Sequence, residues 1–313
     1  MANIDFAALS GNARDSVILH KMIEMKLADR FELYKNPVFI NFGSMNGSGS
    51  SALQVPVVGL AGTDVMAAVG DGSSVANTSI TASSATITIA RQALRYDITD
   101  LANVTNPLAG GMGVGVEGLA ESMALAFGLR LTTMIGALSS GLSQSAGSTG
   151  VALTVSSFFD AIYKLQLQSN DGTFVAVLHP QQVNHLINSL RSETGPGQYV
   201  AATQEQIAAK GQGFRGVLFG VELYTSARGV PTANAGVDYL GMMVAQGCIG
   251  YATGTPAPIQ GAGGIIVPAG SNVVVELERS AASGLTTVVG SAFAGVAEIQ
   301  DLKGCGILSK STP

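Results

Sequence analysis

Few residues in this 313-residue chain are equipped for chemistry, and they do not converge. His179 and His185 stand near the start of an expected helix, six residues apart. That misses the i, i+4 spacing that sets two imidazoles on one helical face. No acidic partner stands nearby, so they read as helix-end or surface histidines. Asp97 and Asp100 are a carboxylate pair, better read as local turn or cap chemistry at Thr99-Asp100. Cys248 reads as a small buried hydrophobe, and Cys248 and Cys305 offer neither a metal spacing nor a disulfide framework. Gly113-x-Gly115-x-x-Gly118 matches the dinucleotide fingerprint in form and precedes a helix. That fingerprint needs a buried strand before it and an acidic residue about 20 positions on to hold the ribose. Upstream lies the turn-rich Asn103–Gly110, and no Asp or Glu occurs between Glu121 and Asp160. The glycines read instead as a bend that packs closely and enters the helix. No G-x-x-x-x-G-K phosphate cradle and no G-x-S-x-G nucleophile elbow occurs. The expectation is a protein without catalytic residues, cofactor or metal.

Composition points elsewhere. Only 12% of residues are charged, about half the ~25% usual in soluble domains. A charge-poor chain stays soluble when much of its surface is buried against neighbours, so an assembly is expected. The alternative is an extracellular Gly/Ser/Thr-rich adhesin or layer protein. Against it, the first residues lack a basic segment followed by an apolar one, which fits an intracellular product. The net charge of −5 argues against a basic nucleic-acid-binding surface. Mean hydropathy is positive, yet the most apolar stretch, Leu119–Leu138, is interrupted by Glu121 and Arg130, so no membrane span is expected.

The elements follow from pattern. An amphipathic helix is expected over Asp15–Lys35, with Leu19, Ile23, Leu27, Phe31 and Tyr34 in its apolar stripe, stopped by Asn36-Pro37. A lone helix of this length is marginal in water, so the stripe must dock on something. Residues 41–90 carry only two charges, Asp64 and Asp71. They read as a two-stranded excursion: Gln54–Leu60 going out, a turn at Asp71-Gly72, and Ser79–Leu94 returning with period two. Such a hairpin is marginal alone and is expected to lie on a neighbouring subunit. Val116–Ser140 reads as a long helix, apolar nearly all round, about 37 Å in length. An α/β stretch follows: helix Ser157–Gln168, strand Phe174–Leu178, helix Gln181–Leu190, a polar loop over 192–213, a strand pair over Gly216–Thr225 broken at Gly220, and a strand Tyr239–Ile249. Strands Asn272–Glu278, Thr286–Ala294 and Val296–Leu302 close the chain.

In that order, these elements resemble the tailed-bacteriophage major capsid fold, first described for a Hong Kong phage and shared by encapsulin nanocompartments. Asp71–Asp100 (DGSSVANTSITASSATITIARQALRYDITD) is similar to the returning strand of that family's extended loop. Phe174–Leu190 (FVAVLHPQQVNHLINSL) and Gly216–Ser226 (GVLFGVELYTS) resemble successive steps of its axial domain, and Leu285–Leu302 its last peripheral strand. The likeness runs through nearly the whole chain and rests on order and length, since no one motif is diagnostic. It implies an α+β fold divided into an N-terminal arm (1–38), an extended β loop (39–95), a peripheral domain with a long spine helix (96–150 and 266–313) and an α/β axial domain (151–265). It implies a non-enzymatic protein that forms hexamers and pentamers of itself in an icosahedral virion shell around phage DNA. Assembly would take place in the host cytoplasm, with separate scaffolding, portal and cementing proteins. Assembly contacts are expected at Leu19, Ile23, Leu27 and Phe31 of the arm and at Val57, Asp71, Ile87 and Ile89 of the loop. One departure stands out: some relatives crosslink their shells through a loop lysine, and residues 41–90 contain none. An encapsulin-type shell and an α/β enzyme with an unrecognised site are the alternatives.

Overall fold

The structure is a computed structural model that describes residues 36, 38–44, 50–58, 71, 74, 82–100, 113–168, 170, 172–192, 199–210, 213–254, 265–266 and 273–312. Strand β1 (Ile40–Ser44) leads to a hairpin of β2 (Ala52–Val58) and β3 (Ala82–Thr88). After a break at Ile89 the chain continues as β4 (Ala90–Thr99). Helix α1 (Gly113–Ala137) runs into a 3-10 turn, Leu138–Ser140. Then come β5 (Ser145–Gly147), α2 (Val155–Leu167), β6 (Val175–Leu178) and α3 (Pro180–Ser192). They are followed by β7 (Tyr199–Ala201), α4 (Gln204–Lys210), β8 (Phe214–Leu218) and β9 (Val221–Thr225). The rest is β: β10 (Thr232–Ala233), β11 (Asp238–Val244), β12 (Ile249–Gly254), β13 (Ile265–Ile266), β14 (Val273–Ser280), β15 (Leu285–Glu298) and β16 (Gly304–Lys310).

Two large sheets hold all of these strands except β2 and β3, which pair with each other. In the first, β15 is the hub. Leu285–Ala294 pair with β4 on one edge, while Leu285–Ala292 pair with β14 and Phe293–Glu298 with β12 on the other. Fourteen continuous residues are needed to hold three partners, which is why the expected break between Ala294 and Val296 does not occur. The second sheet has the order β5-β16-β11-β6-β9-β8-β7. The last strand in the chain, β16, lies in this sheet between β5 and β11, although 304–310 were expected to run with the peripheral strands. The polar stretch 192–213, expected as a loop, holds β7 and α4. Short elements of three and seven residues carry too little periodicity to be read in advance.

Alternation along β6 decides how the layers stack. Ala176 and Leu178 face α2 and α3, packing with Phe158, Ile162, Leu165 and Leu186. Val175 and Val177 face the other way, toward Val38, Phe39, Leu131 and Ile135. Helix α1 therefore serves both lobes. Met123, Ala124 and Phe127 pack on Val273, Val275 and Val288 of the first sheet, and Leu131 and Ile135 on the second. Burying each such side chain contributes roughly 1.5–3 kcal/mol. Gly290 makes room on the hub strand: a Cβ there would lie 3.0 Å from Met123 Sδ. Ser122–Ser140 is long and apolar enough to cross a membrane by those measures alone, but in the fold it is the core helix between two sheets.

Local chemistry sets the ends of these elements. Thr154 caps α2, its hydroxyl accepting from Ser157 N at 3.2 Å. Pro180 opens α3, where its missing N–H costs nothing. Phe219 and Gly220 both have positive φ, the geometry of the tight turn that joins β8 to β9.

Candidate assembly surfaces

The extended loop is fastened to its own chain at the base. β2 and β3 pair from Ala52↔Thr88 to Val58↔Ala82. Val55 and Ile87 point inward to Ala252, with Phe42, Leu53, Ile89, Ala297 and Ile299 around them. Ile87 is 0% exposed, its side chain belonging to the intrachain core. Ile89, in the break between β3 and β4, is half-buried against the same cluster. Alternation explains the assignment, because Ile87 falls on the strand face toward the first sheet. Val57 is half-buried and Asp71 exposed. Leu19, Ile23, Leu27 and Phe31 lie outside the described residues. Backbone passes close to the hub where Gly295 leaves no side chain in the way of the Thr88 carbonyl.

Charged groups on the first sheet find partners both along and across its strands. Arg95 donates to Asp97 at 2.8 Å, and Thr287 Oγ1 donates to the same carboxylate oxygen at 2.8 Å. Those two bonds hold Asp97 below its ordinary pKa. Arg279 grips Asp100 with both terminal nitrogens, at 2.9 and 3.0 Å, and holds it low likewise. Asp97 thus binds within β4 and across to β15, and Asp100 across to β14. Arg91 Nε donates to Ser291 Oγ at 2.9 Å and its guanidinium lies 3.9 Å from Glu276.

The remaining polar groups serve structure. His179 stacks on Tyr239, ring centroids 3.6 Å apart, and its Nδ1 accepts from Gln181 N. His185 is buried in α3. Burial lowers the pKa of both histidines. Cys248 and Cys305 are fully buried free thiols, pushed up to about 12 and about 11 by desolvation. Glu298 is raised by burial and by its neighbour Asp301. Burial alone would raise Asp301 too, but Ser143, donating from N at 2.8 Å and from its hydroxyl, outweighs it and leaves Asp301 low. The glycines Gly113, Gly115 and Gly118 lie inside α1 itself. Among the described residues no cluster of His, Cys, Asp or Glu is arranged to hold a metal.

One surface escaped the sequence reading. Helix α2 buries Val155, Phe158, Ala161, Ile162 and Leu165, yet Phe159, Tyr163 and Leu167 are 44%, 60% and 60% exposed. Their i, i+4, i+8 spacing makes an outward apolar ridge. Phe219, on its strained turn, packs against Phe159 with ring centroids 4.3 Å apart. The signal was in the sequence: α2 has more apolar positions than one buried stripe needs.

No protein-family model matches the chain, and no curated protein matches it. Solved structures do. The chain is similar to the capsid of Ralstonia phage GP4 (TM-score 0.60, 10% identity, covering 92% of this chain and 91% of that one). It is similar to the capsid of cyanophage P-SCSP1u (TM-score 0.56, 13% identity, 88% and 87% covered). The encapsulin of the holo-SrpI complex from Synechococcus elongatus PCC 7942 matches as well (TM-score 0.56, 12% identity, 82% and 81% covered). With a hub strand under a spine helix, an extended hairpin and an α/β lobe in the same order over most of both chains, this protein has the phage major capsid fold, the fold it shares with an encapsulin shell.

Proposed function

We propose that this chain is the major capsid protein of a tailed bacteriophage, a structural protein and not an enzyme. Its copies form hexamers and pentamers that close into an icosahedral shell around double-stranded DNA, in the virion, after assembly in the host cytoplasm. The observation that carries this reading is the match of fold to capsid structures over 88% and 92% of this chain. The charge-poor composition supports it, because a shell subunit buries much of its surface against neighbours. The acidic balance suits an inner face that tolerates packaged DNA without gripping it. The axial lobe contacts its neighbours around each ring, and the arm and extended loop reach across subunits. Affinity is spread over many weak contacts that closed symmetry multiplies. Separate scaffolding, portal and cementing proteins complete the particle.

An encapsulin-type compartment is the second reading, favoured by the equal TM-score of the encapsulin and one phage capsid. Negative-stain electron microscopy of the purified protein, alone and with co-expressed neighbours, tests both. Closed shells, sheets or hexamers are expected; a small monodisperse particle would refute the shell reading. Packaged DNA in shells from infected cells points to the phage, an enclosed protein cargo to the compartment.

A further inference from the structure

The ridge of Phe159, Tyr163 and Leu167 is an apolar strip on a wet surface, and among the described residues only Phe219 packs on it. Val38 and Phe39, near the first described residue, pack on the face of the second sheet opposite α2. Residues 15–35, where the arm helix is expected, lie outside the described residues. Val155 N at the start of α2 donates to Ser189 Oγ of α3, which places the end of α3 beside the start of α2. The residues that follow α3, 193–198, read ETGPGQ and have no bulky apolar side chain to lay over the ridge.

We infer that the ridge docks a second copy of this chain. The inference rests on the shell reading and specifies one of its contacts. Area selects the occupant. Three side chains exposed to this degree present on the order of 300 Å², against about 800 Å² per partner in a stable stand-alone complex. A contact that small holds only where it is repeated in a closed assembly of identical subunits. In a ring the neighbour meets the ridge with a different surface, since head-to-tail contacts are what close rings. Asp160 and Lys164 are the only charges on α2, so the ridge itself can be desolvated without stripping an ion.

The test uses the full chain. A photo-crosslinking phenylalanine derivative replaces Tyr163, and 15N-labelled and unlabelled copies are mixed before assembly. Crosslinks joining heavy to light peptides of this chain are the expected result. Crosslinks confined to one isotopic copy, as residues 15–35 folding back would give, or leading to another protein, overturn the inference. In parallel, Y163D/L167D should lower the yield of particles about a hundredfold, while the soluble chain melts within about 2 °C of wild type. Undiminished particles from the variant beside normal wild-type particles overturn the ridge contact and leave the shell reading intact. Wild type that forms no particles defeats both.

Discussion

The carbonyl oxygen of Gly229 sits where a side chain on Gly136 would have to be, so spine helix and axial lobe touch backbone to backbone. This contact fixes the angle between the two lobes, because neither partner can yield without moving main chain. Gly136→Ala should therefore destabilise the unassembled chain by about 3 kcal/mol, read from urea unfolding. Gly172 has open space at its Cβ position and no positive φ, so Gly172→Ala should stay within about 0.5 kcal/mol of wild type. A gain of about 1 kcal/mol at Gly136 would show that helix propensity, not close approach, governs that site.

Gln182 staples α3 to the sheet. Fully buried, it accepts from His179 N at 3.0 Å and donates to the carbonyls of Tyr239 and Ile307 at 3.1 Å each. Gly241 leaves the space, since a Cβ there would fall 2.7 Å from Gln182 Oε1. Gln182→Leu keeps the bulk and removes all three bonds. A loss of about 3 kcal/mol in urea unfolding is expected from the stranded polar groups. An unchanged midpoint would mean that water replaces the side chain.

Stability should respond to acid in two opposite ways. Asp97, Asp100 and Asp238 have folded pKa values below their ordinary ones, the last through Asn234 and Gly150 N. Their contributions are present above the ordinary carboxylate range and fade as pH falls through the lowered values. Glu298 is the reverse: its folded pKa is raised, so its ionised form opposes folding at neutral pH, and protonation on acidification removes that cost. Glu298→Gln should raise the melting temperature at pH 8, and the gain should vanish near pH 4. A gain that persists at pH 4 would assign the effect to packing instead of charge.

Particles should hold together without covalent bonds between subunits. Lys35 and Lys164 flank the loop, and 41–90 contain no amine nucleophile between them; Arg91 and Arg95 stay protonated and cannot attack a carboxamide. Both thiols are fully buried. Boiling in detergent without reductant should give one band near 31.7 kDa, and a native thiol assay at pH 8 should detect no reactive cysteine until the chain is unfolded. A ladder that survives detergent and reductant would demand a nucleophile elsewhere.

Much of this architecture was written locally. The all-round apolar helix and the Pro180 helix start are set by steric and solvation preferences within a few residues, and both appear within a turn of where the pattern put them. The period-two run expected as one strand over Ser79–Leu94 is instead divided at Ile89 into β3 and β4, which pair in different sheets. What the sequence could not decide is which apolar residue faces its own chain and which faces outward. Ile87 and Tyr163 are both apolar residues in regular elements, yet one is sealed against Ala252 and the other is 60% exposed. Asp100 finds Arg279 179 residues away, and β16 crosses back to the axial sheet after β15 has closed the peripheral one. Hydrophobic transfer rewards burial of any kind, so period and composition fix the elements; only the pairing of distant strands on one hub fixes what each face of them meets.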